Sequence, residues 1–200
     1  MAKLQTGDRA PDLELPDQDG TTRTLSELRG RGVLVYFYPR DDTPGCTSEA
    51  CGLREAAAQY RQLGVEVIGI STDSVKSHKK FADKFSLPFT LLADEEKRAV
   101  SAFGAWGKKK FMGREFLGTL RSSFLIDPAG KIAKVYTKVK PALHAEEVLA
   151  DVAALRGGAQ PARAAAPARS KTKAAAPKPA PTRRRGTPSA STARRSKPKG

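Results

Sequence analysis

The chain has 200 residues and a net charge of +15, yet residues 156–200 hold 13 Lys plus Arg and no acidic residue, which leaves about +2 for residues 1–155. After Leu155 there is no Val, Ile, Leu, Met, Phe, Trp, Tyr or Cys; the basic segment has nothing to bury, whereas the first 155 residues are enough for one core. No apolar run approaches the ~20 residues of a membrane span, and the opening "MAKLQTGDRAPDLELP" lacks the apolar stretch of a secretory signal, so the expectation is a cytoplasmic protein with a folded domain over 1–155 and a disordered tail over 156–200.

"APDLELPDQDGTTRTLSEL" predicts a short strand at Leu13–Leu15, a turn at Asp19-Gly20 and a second strand at Thr22–Leu25, with Ser26 as the N-cap of a short helix. "GVLVYFYP" is a continuous β-branched and aromatic run ended by Pro39, the pattern of a central strand buried on both faces. From Thr47, "TSEACGLREAAAQYRQLG" has helical spacing: Leu53, Ala57, Tyr60 and Leu63 fall three or four apart, and Gly64 closes the segment.

"VEVIGIST" follows as a buried strand. "SVKSHKKFADKFSL" is a helix with Val75, His78, Phe81 and Phe85 on related faces. "FTLLAD" is a strand and "EEKRAVSAFG" a short helix. "GAWGKKKFMGREFLGTLR" is Gly-rich and aromatic and reads as a loop with some extended structure. "SSFLIDPAGKIAKVYTKV" is a hairpin turning at Asp127-Pro128-Ala129-Gly130, and "HAEEVLADVAALRGG" a helix stopped by Gly157-Gly158. Strands that alternate with helices and then finish in a hairpin predict an α/β sandwich around a mixed sheet.

Both cysteines lie in "PRDDTPGCTSEAC", residues 39–51. Cys46 follows Gly45 at the start of the expected helix, where peptide N–H groups and the helix dipole favour the thiolate, which is the nucleophilic form. Thr43, three residues earlier, can aim a hydroxyl at the same spot, and Pro39 has no N–H to compete. Five residues of helix give about 7.5 Å of rise and about 140° of rotation, so Cys46 and Cys51 lie too far apart to bridge while the helix is intact, given a Cα–Cα limit of about 7 Å. The pair reads as a switch, reduced when helical and linked when the first turns unwind; the plainer reading makes Cys51 a small core residue.

Other thiol chemistries fit less well. The two histidines, His78 and His144, lack the close Cys/His spacing of a zinc finger. The spacing is C-x-x-x-x-C, not the C-x-x-C of a thioredoxin-type exchanger. A Cys–His hydrolase stays open in principle, although His78 reads as a partly buried surface histidine and His144 as a helix cap.

The stretch "YPRDDTPGCTSEAC", with P-x-x-x-T-x-x-C as Pro39, Thr43 and Cys46, resembles the active-site loop of peroxiredoxins, and more narrowly the PrxQ or bacterioferritin-comigratory-protein class. "GDRAPDLELPDQDG", "GVEVIGISTDSVKSHKKFADKFSLPFTLLAD", "GAWGKKKFMGREFLGTLRSSFLID" and "KVKPALHAEEVL" resemble that class in the same order, over roughly residues 4–155. The resemblance implies a thioredoxin-like α/β fold and a peroxidatic Cys46 that attacks a hydroperoxide to become sulfenic acid. Thr43 is then the group that hydrogen-bonds thiolate and peroxide, Pro39 shields the site, and Arg121 holds the thiolate and polarises the O–O bond. Cys51 is implied as the resolving cysteine, with thioredoxin or a similar dithiol reducing the disulfide. A monomer without metal, haem or flavin is also implied. Ser123 departs slightly from the pattern, where Thr is frequent, and the tail lies outside it.

The tail, of the "ARSKTKAAAPKPAPTRRRG" type, is similar in composition to linker-histone tails. It is a candidate for non-specific binding of DNA or another polyanion, which would associate the protein with the nucleoid. No aromatic residue interleaves the charges, so base stacking is not expected. The competing reading is a nucleoid-associated, DNA-binding redox sensor with weak peroxidase activity.

Overall fold

The computed structural model describes residues 4–111 and 113–155. The expected tail over 156–200, the Gly157-Gly158 stop and the domain boundary after residue 155 fall outside the described residues. Among the described residues no helix is long and apolar enough to cross a membrane.

A five-stranded mixed sheet organises the domain. It comprises β3 (Gly32–Phe37), β4 (Val65–Ser71), β5 (Thr90–Ala93), β8 (Ser122–Ile126) and β9 (Ile132–Tyr136), in the order β5-β4-β3-β8-β9. β3 runs parallel to β4 and antiparallel to β8. It is central, and every one of its residues is buried. Side chains alternate across a strand, so Leu34 and Tyr36, continued by Tyr38, enter one core with Leu53, Tyr60, Phe81 and Val148. Val33, Val35 and Phe37 enter the other, with Leu15, Val100, Phe103 and Phe124. Each large side chain so buried contributes about 1.5–3 kcal/mol.

The first core is covered by α1 (Pro44–Gln62), α2 (Val75–Phe85) and α4 (His144–Leu155), and the second by α3 (Arg98–Ala102) and the N-terminal hairpin. This agrees with the expected α/β sandwich. α1 begins at Pro44, earlier than the expected Thr47, because Thr43 supplies an extended N-cap backbone and Pro44 occupies the first turn, where its missing N–H costs nothing. It ends as expected at Gly64, which has φ +57°.

Smaller differences are instructive. The first strand, β1 (Glu14–Pro16), is shifted by one residue from the expected Leu13–Leu15, and β2 (Thr22–Thr24) stops before Leu25. Leu25–Leu28 form a single 3-10 turn whose N-cap is Thr24, not Ser26. The Ser26 N–H is instead drawn to the Asp12 carboxylate at 3.0 Å. The Gly-rich aromatic stretch read as a loop is a two-stranded hairpin, β6 (Trp106–Phe111) and β7 (Arg114–Thr119). Its three consecutive lysines and its glycines hide the strand alternation. The turn at Asp127–Gly130 is as expected: Gly130 takes φ +81°, and its N–H donates to the Asp127 carbonyl at 2.9 Å.

Candidate active site

The chain leaves β3 at Phe37 and enters α1 at Pro44 through a short loop. The first ladder bond of α1 runs from the Thr47 N–H to the Thr43 carbonyl at 2.8 Å. The N–H groups of Gly45 and Cys46 precede it, so they are free of the ladder and lend the helix start its positive character. Cys46 is the third residue of the helix and only 2% exposed.

Arg121 comes from the other side of the sheet register. Phe37 pairs with Ser122, which sets Arg121 level with the loop that follows β3. Its Nη2 donates to Cys46 Sγ at 3.2 Å, while its Nη1 is paired with the Glu49 carboxylate. One guanidinium fork thus spans a thiol and a carboxylate three residues apart on the same helix face. Gly45 leaves room for it, because a Cβ there would come to 3.4 Å from Arg121 Nη2. Burial lowers the Arg121 pKa, but the charges of Glu49 and Cys46 outweigh that and hold it above the usual value.

Glu49 is the residue that sequence reasoning missed. Its side chain is fully buried, and burial pushes its carboxyl up to about 7 even though Arg121 pulls the other way. Its spacing of three from Cys46 was the available signal.

Pro39, Lys109, Leu120, Arg121 and Phe124 line a cleft of about 510 Å³, so Arg121 is shared between that cleft and the sulfur. Thr43 stands at the helix N-cap, but its hydroxyl donates to the Arg40 carbonyl at 3.1 Å rather than to the sulfur. Cys51 lies five residues along α1, half-buried, and both cysteines are free thiols.

Both histidines differ from expectation. His78 is not at the surface: it is fully buried against Asp41, with Nδ1 at 2.9 Å from Asp41 Oδ2. His144 does open α4, but its ring faces the core, where Nε2 meets Ser123 Oγ at 2.8 Å. Burial lowers its pKa, against the opposing charge of Glu147. Ser123 therefore matters as a hydroxyl partner for a buried imidazole.

Comparison with known proteins gives the family of the chain. Residues 6–135 match the AhpC/TSA family. Peroxiredoxin Bcp of Escherichia coli K12 is 48% identical over 149 residues, which cover 74% of this chain and 96% of that protein. Peroxiredoxin Bcp of Bacillus subtilis is 44% identical over 146 residues, 73% of this chain and 93% of that one. Among solved structures, a bacterioferritin comigratory protein of Xanthomonas campestris, described for its alkyl peroxide reduction activity, superposes with a TM-score of 0.70. It is 36% identical and covers 78% of this chain and 99% of its own. A cysteine-to-serine variant of Xylella fastidiosa PrxQ gives a TM-score of 0.74 at 32% identity, with the same two coverages. Nearly the whole length of each relative is matched, so the chain belongs to the AhpC/TSA family and, within it, to the thiol peroxidases of the PrxQ/Bcp peroxiredoxin class.

Proposed function

We propose that this chain reduces hydrogen peroxide and alkyl hydroperoxides at Cys46, resolves the product with Cys51, and is recycled by thioredoxin or a similar dithiol protein. The observation that carries the reading is the Arg121 Nη2 to Cys46 Sγ contact at 3.2 Å, at a helix start. In the first step the Cys46 thiolate attacks the terminal peroxide oxygen. An S–O bond forms, the O–O bond breaks, and sulfur is oxidised to the sulfenic acid. The departing alkoxide or hydroxide takes up a proton and leaves as alcohol or water.

Negative charge moves from sulfur to the leaving oxygen during that step. Arg121 and the free N–H groups of Gly45 and Cys46 are fixed donors around that path, which is the arrangement that lowers such a barrier. Pro39 walls the cleft without offering an N–H. Thr43 lies one turn from the sulfur, and its hydroxyl, whose hydrogen now goes to Arg40, keeps lone pairs to accept from a peroxide O–H.

In the second step the Cys51 sulfur attacks the Cys46 sulfenic sulfur. A disulfide forms and water leaves, with the proton supplied by the Cys51 thiol. An intact α1 keeps the two sulfurs apart, so its first turns must unwind. Pro44 to Gly52 is suited to do so: two Gly, two Cys, Thr and Ser together cost on the order of 4 kcal/mol of helix propensity relative to Ala. A dithiol donor then reduces the disulfide and regenerates both thiols, itself becoming oxidised.

Purified protein should consume hydrogen peroxide or an alkyl hydroperoxide with thioredoxin, thioredoxin reductase and NADPH, and Cys46→Ser should abolish turnover. Survival of most of the turnover in that variant would refute the assignment. The 13 positive charges of residues 156–200 support a second role, salt-sensitive contact with DNA. Gel shifts of the full chain against a 1–155 truncation test it: loss of binding on truncation supports the role, and absence of binding by both forms at low salt removes it.

A further inference from the structure

The loop between Pro39 and Thr43 carries a buried polar cluster that the reaction above does not use. Asp41 accepts from Tyr38 Oη at 2.8 Å, from Ser77 Oγ at 2.6 Å and from His78 Nδ1 at 2.9 Å. Its own N–H donates to Asp73 Oδ2 at 2.9 Å, and Asp73 in turn accepts from Ser71 Oγ at 2.7 Å at the end of β4. The second nitrogen of His78, Nε2, faces the Leu92 carbonyl of β5 at 3.1 Å. The imidazole of His78 is thus clamped inside the protein between the Asp41 carboxylate and the Leu92 carbonyl, one oxygen partner at each ring nitrogen.

The cluster thus ties one loop residue to β4, β5 and α2 at once. Immediately after it the chain turns sharply: Asp42 has φ +52°, a left-handed conformation costly for a non-glycine residue, and Lys84 Nζ holds its carboxylate at 2.6 Å. On the far side of the reactive segment, Arg54 Nη1 donates to the Phe85 carbonyl at 2.8 Å, and Leu53 is fully buried. Residues 42–52 are therefore bracketed by two fixed points.

We propose that Asp41 and His78 are positioning residues for the peroxidase cycle: they pin the chain just before Thr43, so that unwinding of α1 starts beyond Asp41 and the helix re-forms in register around Cys46. The proposal rests on the peroxidase reading. The peroxide step needs the folded start of α1 and the disulfide step needs it unwound, so the anchor sets the balance between them. Weakening it lowers the population of the folded site, which slows peroxide attack. It also eases disulfide formation, which spares the sulfenic acid from a second oxidation to sulfinic acid.

The test compares Asp41→Asn and His78→Phe with the parent. Stopped-flow peroxide consumption should show kcat/KM lowered about tenfold in each, as expected when a reacting group loses its fixed position. Mass spectrometry should show several-fold less Cys46 sulfinic acid per turnover at high peroxide. His78→Gln, which can still donate to Asp41, should recover part of both effects. A purely structural role would lower activity only in proportion to the unfolded fraction seen by circular dichroism, with sulfinic acid per turnover unchanged, and that result overturns the proposal.

If the variants do not fold, hydrogen exchange on the parent decides. In the diamide-oxidised protein, amides of residues 44–52 should lose protection while those of 37–41 keep it; loss across both stretches contradicts the anchor. Should the parent fail to reduce peroxide at all, the peroxidase reading falls, whereas the exchange result still judges the anchor by itself.

Discussion

The two halves of α1 are built on different principles. Pro44–Gly52 contains two glycines, two cysteines, Thr and Ser, whereas Leu53–Gln62 reads LREAAAQYRQ, nearly all strong helix formers. The back half is held by apolar packing, with Leu53 and Tyr60 almost fully buried and Tyr60 Oη donating to the Ala145 carbonyl at 2.8 Å. The front half puts only the small side chains of Cys46 and Ala50 into that core and is held besides by the Arg121 fork on Cys46 and Glu49. A helix whose front end is kept in place by two small apolar side chains and a few polar contacts can unwind there at less cost to the core than at Leu53 and Tyr60, because local opening draws on segments with few apolar contacts.

Removing the tether tests the front half most severely. Arg121→Ala should lower kcat/KM for peroxide by about 10²–10³-fold, the usual loss when one preorganised donor to developing charge is removed. Steady-state assays that find less than about a tenfold loss would mean that Arg121 is not part of the electrostatic machinery.

A cut in the back half should behave in the opposite way. Leu53→Ala should cost about 2–5 kcal/mol of stability, read from urea unfolding, by leaving a cavity in the core. Peroxide reactivity per folded molecule should hardly change. A large fall in that reactivity at full folding would erase the distinction between the halves.

The Glu49 carboxyl adds a pH signature to the front. Its native value of about 7 lies above the ordinary 4.5, so between those values the native state holds a proton that the unfolded chain has released. Stability from this group is present at low pH and is lost as pH rises through that window, by on the order of 3 kcal/mol. Unfolding curves from pH 4 to 8 should show this fall in the parent and not in Glu49→Gln; an identical pH dependence in both would assign it elsewhere.

The smallest effect is the most discriminating. A Cβ at Gly52 would meet only Ala145 Cβ, at an ordinary 3.8 Å. Gly52→Ala should therefore favour the helix by about 1 kcal/mol and slow disulfide formation several-fold, with more sulfinic acid at high peroxide. Rapid-quench alkylation would measure this, and an unchanged rate would mean that α1 does not unwind through Gly52.

Much of this was legible in the sequence. The apolar run of β3 and the helical spacing of α2 are local patterns, and each lies where the structure has it; Cys46 does stand in the first turn of α1, but the Thr43 hydroxyl turns to the Arg40 carbonyl. Arg121 was reachable only through family resemblance, since nothing nearby in sequence marks it; the Phe37–Ser122 register brings it to the sulfur. Glu49 was hidden because a glutamate in a helix ordinarily faces water, and its burial depends on a partner 72 residues away. His78 sat in a Lys-rich helix, and although its spacing from Phe81 marked the inner face, the Asp41 that its ring meets there comes from another loop. Periodicity reports which face is inward, but not which charged groups will meet there.

The unwinding of the front of α1 is tested most directly by peroxide itself. The reduced protein would receive one equivalent of hydrogen peroxide, then be alkylated and digested with trypsin, which leaves Cys46 and Cys51 together in the peptide from Asp41 to Arg54. The account predicts that this peptide appears unalkylated and lighter by two hydrogens, from protein that stays monomeric on a non-reducing gel. A peptide carrying an alkylated Cys51 beside an oxidised Cys46, or a disulfide joining two chains, would contradict it.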